Sequence, residues 1–363
     1  MPHDGSRPKN VEALGSRGWP FLSRGRWTGV VIEGQQDAPV AVVGAGGFGT
    51  CLSTLLARKG IEVRQWCRDP GYAQSIANSR ENTKYLPGVK IPLNVWMTSN
   101  LADAVEGAEV VVAAVPSQAM RETARAFAPF LARDAKVLNI AKGIEHDTFL
   151  RMSQVIAEEV GSNHAVASMS GPNFAEEIAR GTPSATVIAS KSPVALNLLC
   201  GLFTTEWFKA YPRRDLVGVE LGGVMKNIVA LAAGLTQGIG FGQNSQAAVI
   251  TLGLDEMVRF GVANGAKKET FTGLSGLGDL ILTATSSRSR NHRVGELLGK
   301  GLSKEQAIAT LGGQVVEGVM ATKFVHGLAA KEKIPLPLTA EIYRILYEGK
   351  DARVAVRDLM DMM

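Results

Sequence analysis

The chain has 363 residues, 45% of them hydrophobic and 20% charged, with a net charge of +5. That length is more than one core usually covers, so two domains are expected, while forty glycines without a period exclude a fibre and no run approaches the roughly 18 consecutive apolar residues of a membrane span. The mild positive charge suits an anionic small molecule, and no interleaving of basic and aromatic residues points to nucleic acid as a partner.

Residues 1–38 stand apart. The stretch "MPHDGSRPKNVEALGSRGWPFLSRGRWTG" is rich in Gly, Arg, Pro and Ser, and it lacks an apolar period and the apolar segment of a secretory signal. Arg7, Arg17, Arg24 and Arg26 give it some transit-peptide character, against which Asp4, Glu12 and the prolines argue. A disordered extension, or a start assigned too far upstream, is expected.

From Val40 apolar runs alternate with helical patterns. "VAVVGA" reads as a strand covered on both faces, and "TCLSTLLARKG" as a helix stopped at Gly60. "IEVRQWCRD" and "EVVVAAVP" give the next strands, "RETARAFAPFL" a helix, and "KVLNIAKG" a strand. "AVASMSG" and "SATVIAS" are two more, around a helix beginning near Asn173. This is the rhythm of a doubly wound, Rossmann-type parallel sheet over residues 39–213. Past Asp215 the chain reads as helices alone, so residues 214–363 form an all-helical second domain. Its last clear helix, in "IPLPLTAEIYRILYEG", is placed at or after Leu338 because the prolines exclude an earlier turn. Cys51, Cys67 and Cys200 show no metal-ligand spacing, so no metal is expected. They read as small core residues in a reducing compartment, and the expected location is cytoplasmic.

The glycines after the first strand carry chemistry. In "VAVVGAGGFGT", Gly44, Gly46 and Gly49 fill a G-x-G-x-x-G pattern, with Gly47 beside them. The first glycine makes the strand-to-helix turn, the second admits a pyrophosphate to the backbone, and the third lets helix and strand pack closely. The phosphates would sit on the helix N-terminus, where free N–H groups and the helix dipole favour negative charge. The buried strand before the motif and the helix after it are the context that favours a dinucleotide site, the alternative being a glycine-rich turn with no ligand. At the end of the second strand Arg68 lies nearest the position that meets the adenosine ribose, with Asp69 next. An arginine there suits a 2′-phosphate, which favours NADP over NAD. The alternative for Arg68 is a solvated strand-end charge.

Candidate substrate residues follow the strand ends. Lys142 lies after one strand, and Asn173 after another, where it reads as a helix N-cap with Glu176 three residues on. Between Val217 and Gly242 the only charges are Glu220 and Lys226. A desolvated Lys226 would have a lowered pKa suited to acid–base work, whereas a snorkelling one would reach the surface. Asp279 reads as an N-cap or as the partner of a buried cation. Arg288, Arg290 and Arg293, with Asn291, form either a phosphate clamp or an exposed basic loop.

The motifs "GAGGFGT", "AVPS", "AKGIE", "SGPNFAEE", "VELGGVMKNIVALAAG", "GLSGLGDLILT", "SRN" and "GQVVEG" occur in order from Val40 to Gly349. With them the chain closely resembles the NAD(P)-dependent glycerol-3-phosphate dehydrogenases of bacterial type. The resemblance implies reversible reduction of dihydroxyacetone phosphate to sn-glycerol 3-phosphate for phospholipid synthesis, in a homodimer. It implies Lys226 as proton donor and acceptor, with Asp279 nearby. Lys142, Gly171, Asn173, Ser289, Arg290 and Asn291 would surround the substrate. Gly47, Phe48, Arg68, Ala175, Val315 and Glu317 would line the cofactor, with Lys142 and Arg290 shared. Asn173 departs from the family pattern of Ser or Thr, although asparagine also donates and accepts. Other readings are a different hydroxyacid-type dehydrogenase with a helical second domain, and a dinucleotide sensor without turnover.

Overall fold

The computed structural model describes residues 38–312 and 315–361; the expected N-terminal extension lies outside them. Eight strands form the main sheet: β1 (Val40–Val43), β2 (Val63–Trp66), β3 (Val95–Thr98), β4 (Val110–Ala113), β5 (Lys136–Asn139), β6 (Val166–Ser170), β7 (Ser184–Ser190) and β8 (Phe208–Arg213). Their order across the sheet is β8-β7-β6-β5-β4-β1-β2-β3. From β3 to β6 every neighbouring pair is parallel. The strand order reverses between β1 and β4, which is where open α/β sheets place ligands. All four residues of β1 are buried. Val40 and Val42 join the core on one face of the sheet, and Ala41 and Val43 the core on the other. A strand covered on both sides must be apolar throughout, which explains the unbroken "VAVV" run.

The sheet departs from the expected pattern in three ways. First, β7 runs antiparallel to β6, not parallel, and β8 then runs parallel to β7. The helix between β6 and β7, Ala175–Ala179, has five residues and spans only about 7.5 Å. It cannot carry the chain back along β6, so β7 starts at the end where β6 stopped. Second, β3 and β8 are strands beyond those read from the sequence. Both are sheet edges. β8 contains Lys209, Pro212 and Arg213, and β3 exposes Trp96; prolines and exposed side chains are tolerated at an edge and blur the sequence signal. Third, a small antiparallel hairpin pairs Glu81–Asn82 with Leu86–Lys90.

The second half is helical. Its centre is a 24-residue helix, Leu216–Ile239, capped by the Asp215 carboxylate on Gly218 N at 3.0 Å and ended by Gly240 at φ +92°. By length and composition it could cross a membrane, but 94% of its most apolar window is buried inside the protein. Around it pack Gln243–Ala263, Asp279–Thr285, Arg290–Gly299, Glu317–Glu332, Pro337–Tyr347 and Ala352–Asp361. Glycines set the closest approach: a Cβ on Gly234 would lie 2.0 Å from His292 O, and one on Gly295 2.0 Å from Leu231 O. Pro337–Tyr347 begins one residue before the expected Leu338, with Pro337 at its first position, where the ring's fixed φ favours a helix start and no N–H is needed.

Candidate active site

The first helix, Gly47–Arg58, starts directly after β1, with Gly46 as its N-cap and no acidic residue in its first turn. Gly44 (φ +129°) lies against β4: a Cβ there would be 2.4 Å from Ala114 O. Gly49 packs on Gly44 O in the same way, at 2.8 Å, and Gly47 on Tyr85 O, at 2.6 Å. A Cβ on Gly46, by contrast, would meet nothing within 4 Å. The bare backbone at Gly46 therefore borders open space at a helix N-terminus. Two amides tie the turn's carbonyls back: Gln65 Nε2 donates to Gly44 O and Asn82 Nδ2 to Ala45 O, both at 2.9 Å. A trans peptide directs N–H opposite to C=O, so the N–H groups of Ala45 and Gly46 face away from those amides. Open space, free N–H groups and a positive dipole end fit a pyrophosphate. Phe48 is half-buried in the first turn.

At the end of β2, Asp69 caps the next helix by accepting from Tyr72 N at 2.9 Å. Arg68 is exposed and makes no ion pair among the described residues. Arg64 is committed elsewhere, to Glu62 Oε1 at 3.1 Å and Glu106 O at 3.0 Å.

Three charges meet where the sheet and the helical half touch. Lys226 is 5% exposed and does not snorkel. Its Nζ donates to Asp279 Oδ1 at 2.5 Å and to Thr283 Oγ1 at 2.7 Å. Lys142, just past β5, donates to the other Asp279 oxygen at 2.7 Å and to Gly171 O, just past β6, at 3.0 Å. Asp279 is 1% exposed. It does not cap a helix; it is the first residue of Asp279–Thr285, after a π-helical turn at Leu274–Gly278. A Cβ on Gly222 would lie 2.7 Å from Ser275 O, so that turn rests directly on the central helix and brings Asp279 to Lys226. Burial drives the Lys226 ammonium toward neutrality. Asp279 resists and Lys142 assists, and the pKa is lowered to about 7. Burial alone would raise the pKa of Asp279, but Lys142 and Lys226 outweigh it and hold the carboxyl below its usual range. The result is one ionised carboxylate between two ammonium groups, one of them poised to lose its proton near neutrality.

The remaining candidates sit around this centre in different roles. Asn173 does not cap the helix at Ala175; Phe174 holds that position without a side-chain bond. The Asn173 amide instead lies 2.8 Å from Thr186 Oγ1 on β7, because the reversal at β7 puts a hydroxyl beside it. Ala175 is half-buried at the start of that helix. Ser289 is the N-cap of Arg290–Gly299, accepting from His292 N at 3.2 Å. Asn291 is buried and bridges Asn227 Oδ1 and Gly318 N, each at 2.9 Å, so it ties three helices together. Arg288 pairs with Glu177 at 2.8 Å over the Phe174 ring. Arg290 is exposed, with no ion pair among the described residues, and lies close enough to Glu317 to feel its charge. Glu317 accepts from Ser117 Oγ at 2.9 Å, and a Cβ on Gly143 would meet both Ser117 Oγ and Glu317 Oε2. Burial raises the pKa of Glu317 against the pull of Ser117 and Arg290. Val315 is 42% exposed just before that helix. Ser117 and Thr283 were not singled out from sequence. Thr283 stands four residues after Asp279, the spacing that stacks side chains on one helix face, while Ser117 lies in the "AVPS" stretch after β4.

Two family models divide the described chain between them. Residues 39–195 match the N-terminal part of NAD-dependent glycerol-3-phosphate dehydrogenase, and residues 215–357 match its C-terminal part. Among curated relatives, the glycerol-3-phosphate dehydrogenase [NAD(P)+] of Moorella thermoacetica is 46% identical, covering 89% of this chain and 95% of its own. That of Clostridium tetani is 44% identical, covering 88% and 91%. A solved glycerol-3-phosphate dehydrogenase from Coxiella burnetii superposes with a TM-score of 0.85 at 38% identity, covering 89% of this chain and 98% of that one.

Proposed function

Because the chain belongs to the NAD-dependent glycerol-3-phosphate dehydrogenase family, we propose that it interconverts dihydroxyacetone phosphate and sn-glycerol 3-phosphate using NAD(P), with Lys226 as the acid–base group. The observation that carries this reading is the buried Lys226–Asp279–Lys142 cluster at the carboxyl ends of β5 and β6. When bound, the nicotinamide supplies or accepts the hydride. The protein's own task is the proton. As the carbonyl carbon is reduced, its oxygen takes a proton from Lys226 Nζ, which is left neutral. In the reverse direction the neutral amine takes the hydroxyl proton. Asp279 and Thr283 keep the Nζ atom fixed in both states, and Lys142 lowers its hold on the proton.

Several groups support binding. The Gly46 cradle suits the pyrophosphate; Gly44, Gly47 and Gly49 hold the turn by packing on neighbouring backbone, and Phe48 stands half-buried in the helix's first turn. Arg68 suits a 2′-phosphate, since Asp69 is already used as a helix cap; NADPH is therefore the preferred cofactor. Arg290, at the N-terminus of a ten-residue helix, suits the substrate phosphate. Ser289 and Asn291 act by holding that helix in place, Lys142 by pairing with the carboxylate, and Gly171 and Asn173 by shaping the strand end. Glu317, held by Ser117, and Val315 two residues before it suit a border of the cofactor region, as does Ala175 at the start of its helix. A cytoplasmic homodimer supplying glycerophospholipid synthesis completes the reading. The test is loss of NADPH absorbance on adding dihydroxyacetone phosphate, with product identified as sn-glycerol 3-phosphate. A protein that binds NADPH and leaves its absorbance unchanged would be a sensor.

A further inference from the structure

Glu220 is the one other charge on the apolar run of the central helix; it is 7% exposed and makes no hydrogen bond to Lys226 or Asp279. Its carboxylate is fully used. Oε1 accepts from Ser153 N at 2.8 Å and Ser168 Oγ at 3.0 Å. Oε2 accepts from Ser153 Oγ at 2.6 Å and Arg151 Nη1 at 2.5 Å. All four donors belong to the sheet half: Arg151 and Ser153 at the start of the helix Met152–Val160, and Ser168 on β6.

The network continues toward the site. Ser168 Oγ, having given its proton to Glu220, accepts from Asn139 Nδ2 at 3.2 Å. Asn139, the last residue of β5, clamps the following turn: Nδ2 also donates to Ala141 O at 3.1 Å, and Oδ1 accepts from Ala141 N at 2.9 Å. The next residue is Lys142. One turn along the central helix from Glu220, Gly223 packs on the Lys142 stem, a Cβ there lying 3.3 Å from Lys142 Cγ. Glu220 thus shares a helix with Lys226 and is joined by three hydrogen bonds in series, through Ser168 and Asn139, to the turn carrying Lys142.

We propose that Glu220 is a positioning residue for the reaction: through Ser168 and Asn139 it fixes the turn of Lys142 against the helix of Lys226, and so sets how closely the two ammonium groups share Asp279. This rests on the reading of Lys226 as the acid–base group. A buried network with every donor and acceptor matched holds one arrangement, and a half-satisfied one does not. Replacing the carboxylate by an amide turns a donor toward Arg151 and the serine hydroxyl. The link to Ser168 slackens, and Lys142 is freed to draw away from Asp279. The repulsion that helps Lys226 release its proton then weakens.

The experiment compares Glu220→Gln, Ser168→Ala and Lys226→Ala with the parent enzyme. Glu220→Gln is expected to lower kcat by about ten- to a hundredfold, the scale of a sub-ångström to 1 Å misplacement, and to shift the alkaline limb of kcat for ketone reduction to higher pH. Its Kd for NADPH should stay within twofold. Ser168→Ala removes one hydroxyl without changing charge and should show the same limb shift at smaller amplitude, so the test stands even where Glu220→Gln fails to fold. Parent-like kcat and limb in Ser168→Ala, or in a folded Glu220→Gln, would overturn the proposal while a dead Lys226→Ala leaves the acid–base assignment intact. An active Lys226→Ala would overturn both.

Discussion

Lys226 Nζ stands 2.5 Å from Asp279 Oδ1, with both residues shut off from water and with Thr283 Oγ1 as a second acceptor at 2.7 Å. An ammonium held by an ionised carboxylate would normally keep its proton firmly. Here burial and the second ammonium, Lys142, turn the balance the other way. The pair therefore holds the lysine in place without making it inert.

The first prediction follows from that geometry. Lys226→Ala should fold, because Asp279 keeps Lys142 as a counter-ion, and it should bind cofactor normally. Its kcat should fall by about 10²–10⁴, the usual worth of an acid–base group. Steady-state rates with dihydroxyacetone phosphate, together with a fluorescence titration of NADPH, measure both quantities. A kcat within a few-fold of the parent would remove Lys226 from the chemistry.

The second prediction concerns pH. Ketone reduction needs Lys226 protonated, so kcat should decline as pH rises through about 7; alcohol oxidation needs the neutral amine and should rise over the same range. Stability is linked with a definite sign. The folded pKa is depressed, so between about 7 and 10.5 the unfolded chain binds more protons than the folded one at this position. Stability therefore gains with pH across that window, and below it the full cost of a buried charge remains. Lys226→Met lacks this dependence. The parent's unfolding free energy, followed by urea titration from pH 7 to 9, should rise relative to that of Lys226→Met; parallel curves would mean that Lys226 titrates normally.

Much of this was legible in the sequence because the relevant signals were local. The glycine turn follows an apolar strand and opens a helix, and the isolation of Lys226 among apolar residues singles it out, although only its burial decides desolvation over snorkelling. The pairing of Lys142 with Asp279 joins residues 137 positions apart, and no periodicity carries that information. The same holds for β7. Its alternation marks a strand, but its direction depends on the five-residue helix before it. Asn173 reads as a cap by residue type, and a hydroxyl brought alongside by the antiparallel β7 outcompetes that role. Edge strands β3 and β8 were hidden by the exposed side chains and the proline that an edge permits.

The third prediction tests the carboxylate. Asp279→Asn leaves two ammonium groups facing a neutral amide, one of them buried. Breaking a buried pair by removing one partner typically costs about 3–5 kcal/mol. The variant should melt well below the parent, and the rate of ketone reduction should fall further than in any variant that spares the charge, because Lys226 loses the one negative charge that favours its protonated form. Melting curves at pH 6 and pH 9 check the cause: the deficit should be larger at pH 6, where both amines are charged. An equal deficit at the two pH values would mean that lost packing, not unbalanced charge, destabilises the variant.

The fourth prediction concerns cofactor choice. Arg68 follows β2, is exposed, and makes no ion pair among the described residues; in the proposed cofactor pose it would meet the adenosine ribose. Asp69, the natural partner for a ribose 2′-hydroxyl, has its carboxylate on Tyr72 N. Turning it toward NADH would uncap a helix, at a cost of about 0.5–2 kcal/mol. A 2′-phosphate gains a charge-assisted hydrogen bond to Arg68 worth about 1.5–3 kcal/mol, reduced by exposure and salt. NADPH should thus be used about tenfold better than NADH, since about 1.4 kcal/mol is a factor of ten. Arg68→Ala should lower kcat/KM for NADPH alone, and the parent's preference should shrink as ionic strength rises. Equal losses for the two cofactors, or none, would make Arg68 a solvated strand-end charge.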